Sequence, residues 1–437
     1  MVTWHAERAW IGAMADDVLI ETDGDRITAV TAGVPAPDDA VRLSGLALPG
    51  LVNAHSHAFH RALRGRTHEP GDFWRWRELM YQVASALDPD RYRALATATF
   101  AEMALAGITT VGEFHYLHHR SEGRAYEDPN AMGLALVDAA RAAGIRLTLL
   151  DTCYLRGGMR NADLDAAQLR FADADVDAWA GRVDALSGND TTKIGAAIHS
   201  VRAVDPGSMA RVAEVAHGSQ QPLHIHVSEQ AKENEECVAV FGMSPTELVA
   251  DRGVLGPRTT IVHGTHVSAL DIELLATTRS RVCMCPTTER DLGDGVGPAA
   301  AFVGGGIEVS LGSDGQSTID LFEEARAVEM NERLITERRG IHDPVTLLAA
   351  ATDNGARSLG WDAGAIAAGR LCDLITLDPE SPRLATCPDV AGIIAAATAA
   401  DVRDVVVGGV AIVRDGRHLG VPDVGAALKD SIEVLFA

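Results

Sequence analysis

Leu48-Pro49-Gly50-Leu51-Val52-Asn53-Ala54-His55-Ser56-His57 is an apolar run that ends in two histidines. It reads as a buried β-strand, Leu48–Ala54, delivering imidazoles at its end. Residues two apart on a strand point to the same side, so His55 and His57 project together. Buried imidazoles are costly unless their nitrogens find partners, and a shared metal ion is one such partner. The pair alone is a weak signal, because most His-x-His sequences are surface or hydrogen-bonded histidines.

Outward from this stretch, β-rich runs recur at Thr109–His115, Arg146–Thr152, Lys193–His199, Pro222–Val227, Thr259–His263, Arg281–Pro286 and Glu308–Ser313. Helical stretches such as Tyr92–Ala106 and Pro129–Ala143 lie between most of them, the latter stopped by Gly144. Strands alternating with helices predict an α/β fold, a (β/α)8 barrel. The polar, alanine-rich segment Asp163 to Asp177 is expected to flank it.

Both ends of the chain read differently. Val18–Thr22 and Arg26–Val30 flank Asp23-Gly24-Asp25, a hairpin signal. Cys372–Leu377 and Asp404–Val413 repeat that texture near the C-terminus. A small β-sandwich domain built from both chain ends is expected, with residues 1–48 and 361–437 enclosing a barrel at 49–360.

The chain has 437 residues, 38 basic against 61 acidic, for a formal charge of −23. That balance argues against nucleic acid or an anionic membrane as a partner, and makes an anionic substrate depend on local arginines. The N-terminus shows no secretion signal, and Val390–Ala400 is too short to span a bilayer, which needs about 20 residues. The six cysteines are scattered without a Cys-x-x-Cys, so reduced thiols in a cytoplasmic protein are expected. Cys283 and Cys285 share a strand face, and packing is the better reading of them than metal binding.

Barrel enzymes carry their chemistry at the C-terminal ends of the strands. That rule gathers His55 and His57 on the first strand, His226 on the fifth and Asp314 after the eighth into a set of metal ligands. His226 is preferred over His224 because it lies nearer the strand end and precedes Glu229 by three. Three imidazoles and a carboxylate suit one divalent ion, zinc or ferrous iron, with room for a water whose pKa falls to about 7.

These motifs resemble the amidohydrolase superfamily, specifically its metal-dependent deaminase branch. The resemblance rests on Pro49–His57, His224-Ile225-His226-Val227-Ser228-Glu229, Val262-His263-Gly264, Gly312-Ser313-Asp314 and the late Gly364–Leu374 run, and it covers nearly the whole chain. It implies a hydrolase with Glu229 as proton shuttle, His263 as a polarising group and Asp314 as both ligand and base. A modified lysine bridging two metals would belong at the fourth strand end, where His199 stands. Lys193 lies six residues earlier, near the opposite barrel face.

Within that branch, His55–Ala62, Phe73–Tyr81, Gly112–His119, His199–Val204, Pro286–Glu289 and Leu292–Gly295 resemble deiminases of N-formimidoyl-glutamate in histidine degradation. The resemblance implies deimination of that small amino-acid-derived anion to N-formyl-glutamate and ammonia, and it also allows a homodimer. Two arginines suit its two carboxylates. Arg77 and Arg202 are the candidates, with Tyr116 as a hydrogen-bond donor and His199 orienting the substrate. Surface stacking of Arg77 on Trp74 or Trp76, and a loop salt bridge for Arg202, are the bland alternatives. His60 stands where such enzymes often have glutamine, and Arg290-Asp291 also departs from their pattern. A related deaminase of a purine, pterin or triazine ring is the alternative function, and a non-catalytic barrel a third.

Overall fold

The computed structural model describes residues 2–67, 73–160, 162–387 and 389–437, with the backbone only at 73–75. The chain opens with β1 (Val2–Trp10), β2 (Met14–Asp23), β3 (Arg26–Thr31) and β4 (Val41–Pro49). β2 and β3 form the expected hairpin, turning at Gly24, whose φ of +59° suits glycine.

The barrel follows as β5 (Leu51–Ser56), β6 (Ile108–His115), β7 (Arg146–Cys153), β8 (Thr192–Ser200), β9 (Leu223–Val227), β10 (Thr259–His263), β11 (Arg281–Met284) and β12 (Val309–Leu311). These eight strands pair in sequence order and in parallel. The ring is nearly closed by a bridge between Ser56 and Asp314, just beyond β12. β5, β6 and β7 are buried at every position, because the barrel interior covers one face and helices the other. The Pro89–Leu105 helix starts on an Asp88 cap, and the Ala131–Ala143 helix ends at left-handed Gly144.

The chain returns through β13 (Leu374–Leu377), β14 (Val402–Val407), β15 (Val410–Arg414) and β16 (Arg417–His418). With β1–β4 they make one mixed sheet in the order β16-β15-β14-β13-β4-β1-β2-β3. Both chain ends therefore share a sheet, and β13 lies against β4. Buried Arg146 at the start of β7 ties the two units together through Asp373, with Nε 2.9 Å from Oδ2.

Several strands are shorter than their expected runs, β12 among them. Leu48 and Pro49 belong to β4 and pair with β13, so the run Leu48–Ala54 is divided at Gly50. A Cβ at Gly50 would lie 2.3 Å from Thr109 Oγ1, so only glycine lets the chain cross there. β11 stops at Met284, because Pro286 begins a helix, Pro286–Leu292. Within 163–177 a short 3-10 helix, Gln168–Arg170, contributes Gln168 to the wall of the main cavity. No helix among the described residues is long and apolar enough to cross a membrane.

Candidate metal centre

His55 and His57 emerge side by side from β5, and His226 comes from β9 to meet them. The His57 Nδ1–H donates to the Phe114 carbonyl at 3.0 Å, and the His226 Nδ1–H to the His199 carbonyl at 2.8 Å. Those bonds set the tautomers and turn both Nε2 lone pairs inward. His226 Nε2 faces His55 Nε2 at 3.1 Å, and Asp314 Oδ1 lies 3.4 Å from Nε2 of both His55 and His57. Ligands 2.0–2.1 Å from a tetrahedral ion would be spaced about 3.3 Å apart, so these separations fit one divalent ion.

Protonation states agree. Burial lowers His55 to about 4 despite Asp314, and lowers His57 and His226 well below the usual range. All three are neutral at pH 7, the form that binds metal. Burial alone would raise Asp314, but the His55 bond and the surrounding imidazoles hold it well below the usual carboxylate range. A nearly buried cluster of lone pairs and a carboxylate is unfavourable without a cation.

His263 ends β10 beside this group. Its Nε2 lies 3.8 Å from Asp314 Oδ2 and 4.0 Å from Glu229 Oε1, and its Nδ1 lies 3.3 Å from buried Glu289. Burial depresses the His263 imidazole, yet Glu229, Glu289 and Asp314 together raise it to about 10. Left-handed φ values at Ser228, His263 and Asp314 place backbone strain at three strand ends around the site.

A cavity of about 470 Å3 opens above, and His60, Arg77, Tyr116, His199, Arg202 and Glu229 all reach its wall. His60 Nε2 and the Tyr116 hydroxyl are 3.1 Å apart, and burial lowers His60 to about 4. Burial, then Arg202 and Arg77, lowers His199 to about 3. Among the described residues Arg77 lies against Tyr81 and Asp165. Its guanidinium lies 5.0 Å over the Tyr81 ring, Nε donates to the Tyr81 hydroxyl at 2.7 Å, and Asp165 is 3.5 Å away. Trp76 packs on His60 instead, and the Trp74 side chain lies outside the described residues. Arg202 pairs with Glu233 at 3.2 Å and approaches Glu229 at 3.8 Å.

Sequence reasoning missed several wall residues. Tyr154, just past β7, packs on His199 with ring centroids 4.7 Å apart and accepts from Gln168 at 2.9 Å. The strand-end rule that found Tyr116 applies equally to Tyr154. Arg156 donates to the carbonyls of Val201 and Arg202 at 3.0 and 3.2 Å, bracing the loop that carries Arg202. No local signal marks that bond.

Other candidates lie elsewhere. His224 Nε2 is bonded to the Ser358 carbonyl at 3.2 Å, as a core histidine. Cys285 is buried near His263 and Asp314, and burial keeps its thiol protonated, which favours packing. Lys193 lies 4.8 Å over the Trp361 ring and bonds the Gly360 carbonyl, away from the histidines. Glu113 and His115 lie near the end of β6 and His118 and His119 in the loop after it, and all four are buried. His115, His118 and Asp151 form a second buried group, but Arg182 already binds Asp151 at 2.7 Å and Asp173 at 2.8 Å. A guanidinium so close opposes a second cation.

Residues 46–412 match the model of the amidohydrolase family. The chain is 36% identical over 433 residues to the formimidoylglutamate deiminase of Pseudomonas aeruginosa, covering 95% of each. It is 31% identical over 423 residues to a 5-methylthioadenosine/S-adenosylhomocysteine deaminase of Natronomonas pharaonis, covering 95% of this chain and 92% of the relative. The crystal structure of an amidohydrolase from Brucella melitensis superposes with a TM-score of 0.93 at 32% identity, over 100% of both chains.

Proposed function

The chain belongs to the amidohydrolase family, and from that premise we propose that it hydrolyses N-formimidoyl-L-glutamate to N-formyl-L-glutamate and ammonia. The observation that carries this reading is the sharing of one cavity by Arg77, Arg202 and the histidine cluster. Arginine forks bind carboxylates in pairs of parallel bonds, and this substrate has two carboxylates on the glutamate side of one terminal, reactive amidine carbon. Similarity to a deiminase along 95% of both chains supports the same substrate.

His55, His57, His226 and Asp314 would hold one divalent ion, zinc or ferrous iron by their chemistry. Such an ion supplies Lewis acidity and makes water a nucleophile at neutral pH. Asp314 accepts the proton of the attacking water. His263 hydrogen-bonds the oxygen that adds to the amidine carbon. Glu229 passes a proton to the departing nitrogen, the added oxygen gives that nitrogen its second proton as the C=O bond forms, and the C–N bond breaks to release ammonia. Tyr116, His60 and His199 orient the chain between the two carboxylates.

The test is ammonia release and N-formyl-glutamate formation by metal-replete protein. 5-Methylthioadenosine and S-adenosylhomocysteine serve as competitors, because Trp76, Tyr154 and Phe171 give the cavity an aromatic wall that also suits a purine. No turnover of N-formimidoyl-L-glutamate overturns the proposal. Preference for a purine replaces it.

A further inference from the structure

Ser56, between the two histidines of β5, points away from them into a sealed polar network. Asn53, Ser56, Glu113, Ser313 and Gln316 are all 0% exposed. Asn53 Nδ2 donates to Ser313 Oγ at 2.7 Å, and Ser313 N donates back to Asn53 Oδ1 at 2.9 Å. The Ser313 hydroxyl donates to Gln316 Oε1 at 2.8 Å. Gln316 Nε2 then spends both its hydrogens, one on Ser56 Oγ and one on the Asp314 carbonyl, each at 2.9 Å. Ser56 donates onward to Glu113 at 2.6 Å, and Glu113 also accepts the Ala58 N–H at 2.6 Å.

With Glu113 as the final acceptor, every donor named in this chain has an acceptor, which runs the network from Asn53 toward Glu113. The Asp314 carbonyl receives a second bond, from the His57 N–H at 3.2 Å. One carboxamide thus joins the ligand-bearing end of β5 to the ligand-bearing turn after β12. These segments meet at the barrel seam, where the ladder is reduced to a single bridge. Gln316 holds a φ of +59° and Asp314 one of +41°. Left-handed backbone is unfavourable for a non-glycine residue, so the glutamine conformation is maintained by its bonds.

We propose that Gln316 is a positioning residue that fixes the separation between Asp314 and the His55–His57 pair, and so sets how tightly this site holds its metal. The proposal rests on the metal reading of the site. It assigns the strength of the centre to a residue that touches none of the ligating atoms. Partners of this kind change metal affinity by about 10- to 100-fold.

The test uses the full-length protein loaded with cobalt(II), whose visible bands report ligand geometry. Gln316→Met and Ser56→Ala are compared with wild type for band position and for the rate of cobalt loss to a chelator. Thr148→Val is the control. It deletes a buried hydroxyl bonded to Leu359 and Trp361, remote from the site. The expected result is cobalt loss about 10- to 100-fold faster with shifted bands in both site variants, and neither change in the control. Should Gln316→Met fail to fold, Ser56→Ala decides, since it removes one oxygen. Wild-type release rates and bands in the variants overturn the proposal, even with lowered thermal stability. Equal acceleration in Thr148→Val also overturns it, by making general loosening the cause. A wild type that takes up no cobalt rejects the metal reading itself.

Discussion

The His226 ring donates its Nδ1–H to the backbone carbonyl of His199, 2.8 Å away across the β8–β9 pair. One bond fixes both the orientation of the ring and which nitrogen faces His55. The strand ladder, not a side chain, therefore aims this candidate ligand.

Removing His226 is expected to empty the site. His226→Ala should lower bound zinc or iron well below the wild-type content of about one equivalent, and activity by about 100-fold or more. Elemental analysis after gel filtration checks this. Full metal content in the variant would remove His226 from the ligand set.

Glu229 is expected to act on protons without holding metal. Glu229→Gln should cut kcat by about 100- to 10,000-fold while metal content stays unchanged. Parallel kinetics and elemental analysis separate the two roles.

Arg77 and Arg202 are expected to read carboxylates. A lost charged hydrogen bond costs about 1.5–3 kcal/mol, so Arg77→Met or Arg202→Met should raise KM about 10- to 100-fold. Arg202→Met also leaves Glu233 without its ion-pair partner, so its melting temperature should fall as well. Unchanged KM in both would end the carboxylate-clamp reading.

Asp151, Arg182 and Asp173 form a buried ion network behind the barrel. Arg182→Met strands two buried carboxylates and should cost about 3–5 kcal/mol in urea unfolding. Burial raises the Asp173 carboxyl, but its bonds to His119 and Arg182 prevail and hold it well below the usual range. A depressed folded-state pKa adds stability above the unfolded value, near 3.9 for aspartate, and loses it as pH falls toward the folded value. Acid unfolding below about pH 4 should therefore be blunted in Asp173→Asn relative to its own neutral-pH stability.

Gly312 lies where the turn after β12 passes β5. A Cβ there would sit 2.7 Å from His55 Cβ and 2.8 Å from its carbonyl oxygen. Gly312→Ala is expected to cost about 1–3 kcal/mol and to weaken metal retention by displacing His55. Thermal melts and chelator challenge measure both effects.

The barrel was legible because most of its strand positions are buried, which leaves short, largely apolar runs with ligand-type residues at or just beyond their C-terminal ends. That contrast singled out His55, His57, His226 and Asp314 across 260 residues of sequence. It failed at Gly50, because Leu48 is as apolar in β4 as it would be in β5. Only strand pairing distinguishes the two sheets.

Residue types and strand ends thus determined the fold class and the identity of the candidate ligands, since both follow from periodicity and donor chemistry. Tertiary structure alone decided which nitrogen of each histidine faces inward, which acids answer Arg77 and Arg202, and that Gln316 spans the seam. Those are relations between residues far apart in the chain, made by backbone carbonyls and single side-chain bonds. Such contacts leave no period and no composition for a sequence to display.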